Sequence, residues 1–160
     1  MNDAFSLPLL TREDMEALDA ALGEFVAAGS ARLALFIDCN GFVVTRQGDA
    51  AEMDITALAA LAAASFAATQ AIGKIIDEDA VTSFYQEGEE NSLLMLSVGD
   101  AGFLTAVFAA KIGVGSVKFY AQEAVTRIER QMERARGRAP AEGLSGNLIE
   151  AGPLFRRAGR

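Results

Sequence analysis

The sequence predicts a domain of the layered α/β (α+β) class with the element order helix, two strands, helix, three strands, helix. Apolar residues recur at helical spacing in three long segments, and shorter runs rich in β-branched and aromatic residues lie between them. Turns that contain glycine separate neighbouring short runs, which favours antiparallel pairing. Hydrophobic residues make up 51% of the 160 residues, so the body of the chain is expected to form a real core.

The first and last helices have clear local signals. Thr11 is an N-cap residue with Asp14 three residues later in the position of a capping-box acid, and Gly29 is a stop signal. The last helix is predicted over 116–136 and ends at Gly137. Its helical periodicity predicts a buried stripe that comprises Val117, Ala121, Ala124, Val125, Ile128 and Met132.

The strands are predicted from alternation and from the turns between them. The runs 32–38 and 42–46 flank Asn40-Gly41, a pair that predicts a type I′ hairpin turn with positive φ at both positions. Three later runs, separated by tight turns, predict an antiparallel meander over 81–86, 93–98 and 103–109.

The segment 54–76 is predicted to be a helix with two apolar faces. One face is an ordinary core stripe, formed by Ile55, Leu58, Ala62, Phe66, Thr69, Ile72 and Ile76. The opposite face lacks the charges of a solvated surface and carries Thr56, Ala60, Ala64, Ala67, Ala71 and Lys74. We therefore expect this helix to contact its own core on one side and another polypeptide on the other. A helix sandwiched inside a single domain is the main alternative, and a membrane span is a weaker one because Ala is abundant and no aromatic belt is present.

Charge and composition exclude several classes of function. Residues 1–110 carry 17 acidic and 4 basic side chains, so the body is not expected to bind nucleic acid. The arginines at 127, 130, 134, 136 and 138 are typical of a solvated helix end, with a docking surface for an acidic partner as the alternative. Histidine is absent and Cys39 is the single cysteine, so we expect no metal site, no Ser-His or Cys-His catalytic pair and no cofactor. These features, with no export signal at the start, favour a cytoplasmic protein that is not an enzyme.

With this element order, the sequence resembles the Roadblock family of dynein light-chain-like domains, and within it the bacterial MglB-type regulators of MglA-type Ras-like GTPases. The most specific motif is Ala67-Ala68-Thr69-Gln70 followed by Lys74. The resemblance extends over 9–136, which leaves an N-terminal extension (1–10), the domain (11–136) and a C-terminal tail (137–160). It rests on four stretches: LFIDCNGFVVTRQG (35–48), LAALAAASFAATQAIGKII (58–76), YQEGEENSLLMLSV (85–98) and GVGSVKFYAQEA (113–124).

The resemblance implies a profilin-like layered fold with a five-stranded antiparallel sheet between the central helix and the two terminal helices. It also implies a symmetric homodimer through the third strand and the central helix, with Ala57, Ala68, Val81, Ser83 and Tyr85 at the interface. In such proteins the paired central helices form a platform for one GTPase. The corresponding positions here are Ala60, Ala64, Ala67 and Ala71, with Gln70 and Lys74 as rim contacts.

The function that the resemblance implies is acceleration of GTP hydrolysis, in the cytoplasm or at a cell pole. Such a protein supplies no arginine finger and instead positions the catalytic residues of the GTPase itself. The alternatives are a Roadblock scaffold or heterodimer subunit, which would not affect hydrolysis, and a profilin-like sensor for a small ligand. In the tail, contacts with the GTPase would come from Leu144, Leu148, Ile149, Leu154 and Phe155.

Overall fold

The computed structural model describes residues 7–29 and 31–138, and within them the predicted elements occur in the predicted order. Each end of an element lies within about two residues of its predicted position, the normal uncertainty of such boundaries. The elements are α1 (Arg12–Gly29), β1 (Leu33–Asp38), β2 (Val43–Gly48), α2 (Ile55–Ile75), β3 (Ser83–Gln86), β4 (Asn91–Val98), β5 (Gly102–Ala109) and α3 (Val114–Gly137).

The five strands form one antiparallel sheet in the order β2-β1-β5-β4-β3. β1 lies between β2 and β5, and all its residues are buried because helices cover both faces of the sheet. The predicted meander of the last three strands is confirmed. β2 and β3 are the two edges, so among the described strands each pairs with a single neighbour.

Two hydrophobic clusters lie on opposite faces of the sheet. α1 and α3 cover one face, where Phe36, Phe108 and Ile128 are fully buried. α2 covers the other face through Phe66, which packs with Leu35 and other residues of the sheet. This arrangement confirms the predicted Roadblock-type fold, with the sheet between the central helix and the two terminal helices.

Asp14 joins the start of α1 to the end of α3. Its carboxylate is fully buried and accepts hydrogen bonds from Thr11 N (2.6 Å), Gln131 Nε2 (2.6 Å) and Arg138 Nη1 (2.9 Å). The Arg138 guanidinium, aided by the bonds from Thr11 and Gln131, holds the pKa of the Asp14 carboxyl far below its ordinary range. Asp14 N also donates to Thr11 Oγ1 (3.3 Å), which confirms the predicted cap at Thr11 and makes it part of a larger charged network.

The turn between β1 and β2 differs from its prediction. Gly41 has a positive φ of 88° but Asn40 does not, so the type I′ prediction is wrong. Gly41 N donates to the Asp38 carbonyl (3.1 Å), while the Asp38 carboxylate accepts from Asn40 N (2.9 Å) and Phe42 N (2.8 Å). These side-chain bonds satisfy the backbone donors of the turn. They stabilise a longer loop in which Gly41 adopts the left-handed backbone conformation.

The predicted stripe of α3 is buried along its whole length, as expected. Arg127 lies 2.5 Å from Glu24 of α1, and Arg138 pairs with Asp14, so two of the five arginines link helices within the protomer. The other three, at 130, 134 and 136, are exposed to solvent. The tail residues proposed to contact a partner, Leu144, Leu148, Ile149, Leu154 and Phe155, lie outside the described residues, as does most of the N-terminal extension.

Candidate partner-binding surface

α2 rests on the sheet through small side chains around one large ring. Asp54 caps the helix by accepting a hydrogen bond from Ala57 N (3.0 Å). Phe66 is fully buried, and its ring centroid lies 4.5 Å from that of Phe103 in β5. The neighbouring alanines that face the sheet, Ala59, Ala62 and Ala63, allow the helix backbone to come close to the strands.

The packed face of α2 is rotated relative to the predicted core stripe. Ala62 and Phe66 are buried as expected, but Ile72 and Ile76 are 57% and 65% exposed, so their assignment to the core is wrong. Ala59 is buried instead. At about 100° per residue, the observed core direction differs from the predicted one by roughly 60°. A helix that is apolar all round has no polar face to define its rotation, and the closer packing of alanine decides it.

The other side of α2 is apolar and uncovered in the part of the chain that the structure describes. Leu61 and Ile75 are 68% and 81% exposed. The described residues therefore do not supply the second layer that the alternative of a helix sandwiched inside a single domain requires. We call this surface the outer face of α2; it comprises Ala57, Ala60, Leu61, Ala64, Ser65, Ala67, Ala68, Gln70, Ala71, Ile72, Lys74 and Ile75, all of them exposed.

The structure brings the predicted contact residues of α2 together on this face. The six positions predicted for a GTPase platform (Ala60, Ala64, Ala67, Gln70, Ala71 and Lys74) are exposed, as are Ala57 and Ala68, predicted for a dimer contact. Their roles stay predictions. Leu61 and Ile75 were missed, although the spacing contained a signal for one of them. Ile75 follows Phe66 by nine residues, which places it about 180° round the helix from the core.

The remaining predicted dimer residues lie at the edge strand β3. Ser83 and Tyr85 are in the strand, whereas Val81 precedes it. Tyr85 is 38% exposed, and its ring lies 6.3 Å from that of Phe108, on the face of the sheet that α1 and α3 cover. Ser83 Oγ accepts a hydrogen bond from Lys118 Nζ of α3 (3.2 Å).

The end of α2 lies beside the segment before β3 because the chain approaches itself closely at Gly73. A Cβ atom on Gly73 would lie 2.7 Å from Val81 Cγ2, a distance that only glycine avoids. Gly73 also accepts hydrogen bonds from Ile76 N (3.0 Å) and Glu78 N (2.9 Å) through its carbonyl. The end of α2 is thus held against the segment that leads into β3.

The two flanks of the outer face have different neighbours. Gly41, at the β1–β2 turn, packs beside Ala60, since a Cβ on Gly41 would lie 3.1 Å from Ala60 Cα. The Ala60 flank therefore faces the turn that carries the exposed ring of Phe42. Leu61 and Ile72 lie about 100° and 120° round the helix from Ala60, on the other flank.

By length and composition α2 could span a membrane, and it is the one helix in the described part of the chain that could. Its Phe66 side is packed on the sheet, and lipid insertion would have to give up those contacts. Acidic residues also flank it, with Asp54 at its start and Asp77, Glu78 and Asp79 after its end. Charges at the ends of a helix of this length would stay at the membrane surface, so it is the packing of Phe66 that makes a protein partner the expected cover for this face.

Two kinds of catalytic group, metal ligands and a reactive thiol, can be assessed among the described residues. Among the described residues, no group of three or more His, Cys, Asp or Glu side chains could hold a metal ion. Cys39 Sγ donates to the Asp100 carbonyl (3.4 Å), and burial, together with the charges of Asp38 and Asp100, raises the pKa of the thiol. A raised pKa lowers the fraction of reactive thiolate.

Comparison with known proteins agrees with this geometry. The structure of the gliding protein MglB from Thermus thermophilus is 30% identical and has a TM-score of 0.73, covering 81% of this chain and 97% of that one. An MglB described with a tetrameric arrangement is also 30% identical, with a TM-score of 0.75 and the same coverage. MglB from Myxococcus xanthus is 26% identical, with a TM-score of 0.70 over 73% of this chain and 95% of that one. The curated proteins give no match.

The family model of the Roadblock/LC7 domain matches residues 17–108, from within α1 to the end of β5. This span includes α2 and the edge strand β3, the two elements that form the candidate surface. The chain belongs to the Roadblock/LC7 domain family.

Proposed function

We propose that this chain is a homodimeric activator of a bacterial Ras-like small GTPase of the MglA type, acting in the cytoplasm or at a cell pole. The observation that carries the proposal is the apolar outer face of α2, which no described residue covers and which monomeric soluble domains avoid exposing. The similarity to MglB structures supports this choice of partner. Roadblock domains form a family of regulators, which agrees with a role in controlling another protein's reaction.

The two flanks of the outer face suit two different partners. Leu61 and Ile72 are large and apolar, so they suit a permanent contact with a second copy of the chain, alongside the β3 edge. The opposite flank carries Ala60, Ala67 and Lys74, whose small side chains and single charge suit a partner that binds and leaves. In a symmetric dimer the two α2 helices would present a joint surface to one GTPase.

The proposed mechanism is positional. α2 contains no arginine, and Lys74 is its only cation, so this face offers no arginine finger. Activation would come from holding the GTPase's own catalytic residues against the nucleotide. Alanines favour such a role because they give a close, rigid contact with almost no loss of side-chain entropy.

GTP turnover by the partner GTPase, measured with and without this protein, tests the proposal, with light scattering on the same samples. Stimulated turnover together with a complex of two copies and one GTPase is expected. Binding without stimulation would instead support the scaffold reading. Absence of binding would contradict both.

The platform assignment is tested by Ala67→Arg, with Ala27→Arg as the matched control. Both alanines are exposed helical residues, but Ala27 lies in α1 on the other face of the sheet. Burying an unpaired arginine at the interface costs about 3 kcal/mol, so Ala67→Arg should weaken GTPase binding roughly 100-fold. The dimer should persist in both variants by light scattering. Full stimulation of hydrolysis by Ala67→Arg would show that the platform lies elsewhere.

A further inference from the structure

Phe42, in the turn between β1 and β2, is 69% exposed beside the outer face of α2. A single exposed apolar residue needs no explanation by itself. Among the described residues, Phe119 is the other phenylalanine that is more than half exposed, and its ring packs edge-on against Tyr120 with centroids 5.3 Å apart. Phe42 stacks on no other described ring, so its ring is available to a partner.

Asp38 fixes the backbone of Phe42. Phe42 N donates to the Asp38 carboxylate (2.8 Å), and the Phe42 carbonyl accepts from Asp38 N (2.9 Å). The Asp38 side chain is buried, and the same carboxylate oxygen also accepts from Asn40 N (2.9 Å). A residue that is bonded through both of its backbone groups loses little backbone freedom on binding, so the turn presents the ring in a preorganised position.

The turn is also packed against α2 at Gly41. A Cβ atom on Gly41 would lie 3.1 Å from Ala60 Cα and 3.4 Å from Ala63 Cβ, so a larger residue would push the turn away from the helix. Phe42 follows Gly41 directly and therefore extends the Ala60 flank of the outer face of α2.

The position of Phe42 distinguishes between the two partners proposed for α2. The contact proposed for a second copy comprises Leu61, Ile72 and the β3 edge. β3 is one edge of the sheet, whereas Phe42 directly precedes β2, the strand at the other edge. Leu61 and Ile72 also lie about 100° and 120° round α2 from Ala60. Such a dimer leaves Phe42 exposed, and the partner that covers the Ala60 flank is the one that can reach the ring.

We propose that Phe42 is the aromatic anchor of the GTPase contact and inserts its ring into an apolar pocket of the GTPase. The inference rests on the proposed function and names a residue that supplies affinity to it. The alanines of the platform each bury little area, whereas protein interfaces depend on a few large side chains, among which aromatic residues are prominent. Asp38 is then a positioning residue, because it acts by fixing Phe42.

GTPase binding by Phe42→Ala tests the anchor, with Phe119→Ala as the matched control. Each variant loses one exposed phenyl ring, but Phe119 lies on α3, which covers the other face of the sheet. Phe42→Ala should raise the dissociation constant roughly 30-fold, whereas Phe119→Ala should change it by less than about twofold. The maximal GTP turnover at saturating protein should stay that of the wild type, because the anchor supplies affinity and leaves the positioned catalytic residues in place.

Two variants of Asp38 test the role of the fixed turn. Asp38→Ala removes both side-chain bonds and should weaken GTPase binding roughly 5-fold, since the ring is then no longer preorganised. Asp38→Asn keeps an oxygen that can accept the same two bonds and should restore binding. Asp38→Ala combined with Phe42→Ala should bind as Phe42→Ala alone, because Asp38 acts through the ring. Additive losses in the double variant would contradict that positioning role.

The possible failures of the anchor can be told apart from failure of the proposed function. If Ala67→Arg loses GTPase binding while Phe42→Ala binds as the wild type, the proposed function stands and Phe42 is not the anchor. A dimer weakened by Phe42→Ala in light scattering would show that a second copy covers the ring, and reduced turnover at saturation would assign Phe42 to positioning instead of affinity. A wild-type protein that does not bind the GTPase would overturn the function and the anchor together.

Discussion

α2 and α3 are long helices on opposite faces of the same sheet, and their free faces differ. α3 buries one stripe and presents charged residues such as Glu123, Arg130 and Glu133 to solvent. α2 also buries one stripe, but its outer face has Lys74 as its single charge and exposes Leu61 and Ile75. The free face of α3 therefore carries the charges of a solvated surface, whereas the outer face of α2 is covered by a partner in the proposed dimer.

The layer of α1 and α3 and the layer of α2 are also held in place by different interactions. α1 and α3 are joined by the Asp14–Arg138 and Glu24–Arg127 ion pairs, in addition to their shared core. α2 is held by the apolar packing of Phe66 and by close approaches at Gly41 and Gly73. The layer of α1 and α3 is therefore joined by ion pairs as well as apolar contacts, while the α2 layer, in the proposed dimer, is one half of an interface.

The largest expected effect comes from the buried side of α2. Phe66→Ala removes the only large side chain that α2 buries completely and leaves a cavity against Phe103. The free energy of unfolding, measured in urea, should fall by about 3–5 kcal/mol. Phe119→Ala, on the exposed face of α3, should change it by less than about 0.5 kcal/mol. Similar losses in the two variants would remove the distinction between packed and free faces.

The second prediction concerns the free faces themselves. Ile72→Asp and Phe119→Asp introduce the same charge at exposed apolar residues, on α2 and α3 respectively. In the proposed dimer, Asp at position 72 is buried without a partner at a cost of about 3 kcal/mol, which raises the dimer dissociation constant roughly 100-fold. Light scattering over a concentration series measures this change. A dimer that tolerates Ile72→Asp as well as Phe119→Asp would place the subunit contact away from this flank.

The smallest expected effect is on the free energy of unfolding, from a change in the layer of α1 and α3. Asp14→Asn replaces a buried carboxylate that is bonded to Arg138, which should lower stability by about 2 kcal/mol at pH 7. Because the folded-state pKa of Asp14 lies below its unfolded value, near 3.9, this contribution is present above about pH 4 and is lost as the pH falls below it.

Urea unfolding from pH 7 down to pH 2 checks this difference, which should shrink at the acid end. Glu24→Gln, which breaks a more exposed pair with Arg127, is the control and should cost less than about 1 kcal/mol. A difference between wild type and Asp14→Asn that stayed constant down to pH 2 would contradict the ionic role of Asp14.

The comparison of α2 with α3 also separates what was predictable from what was not. All six residues predicted for the buried stripe of α3 are buried, and Ala135 extends it, because the polar face of α3 defines the rotation of the helix. For α2 the element was predictable but its rotation was not, so Ile72 was assigned to the core and Leu61 was missed. At the β1–β2 turn, Asn40-Gly41 predicted the hairpin, whereas the bonds of Asp38 selected a different turn geometry.

The sequence by itself determined the order of the elements, the cap at Thr11, the position of the meander and the unusual character of α2. These features depend on neighbours within a few turns of helix or one hairpin, and periodicity and turn chemistry report them directly. Only the tertiary structure decided which side of α2 meets the sheet, how closely Gly73 approaches Val81, and where β3 lies in the sheet. Those features depend on packing between segments distant in sequence, where alanine and glycine allow close approach but do not specify the partner.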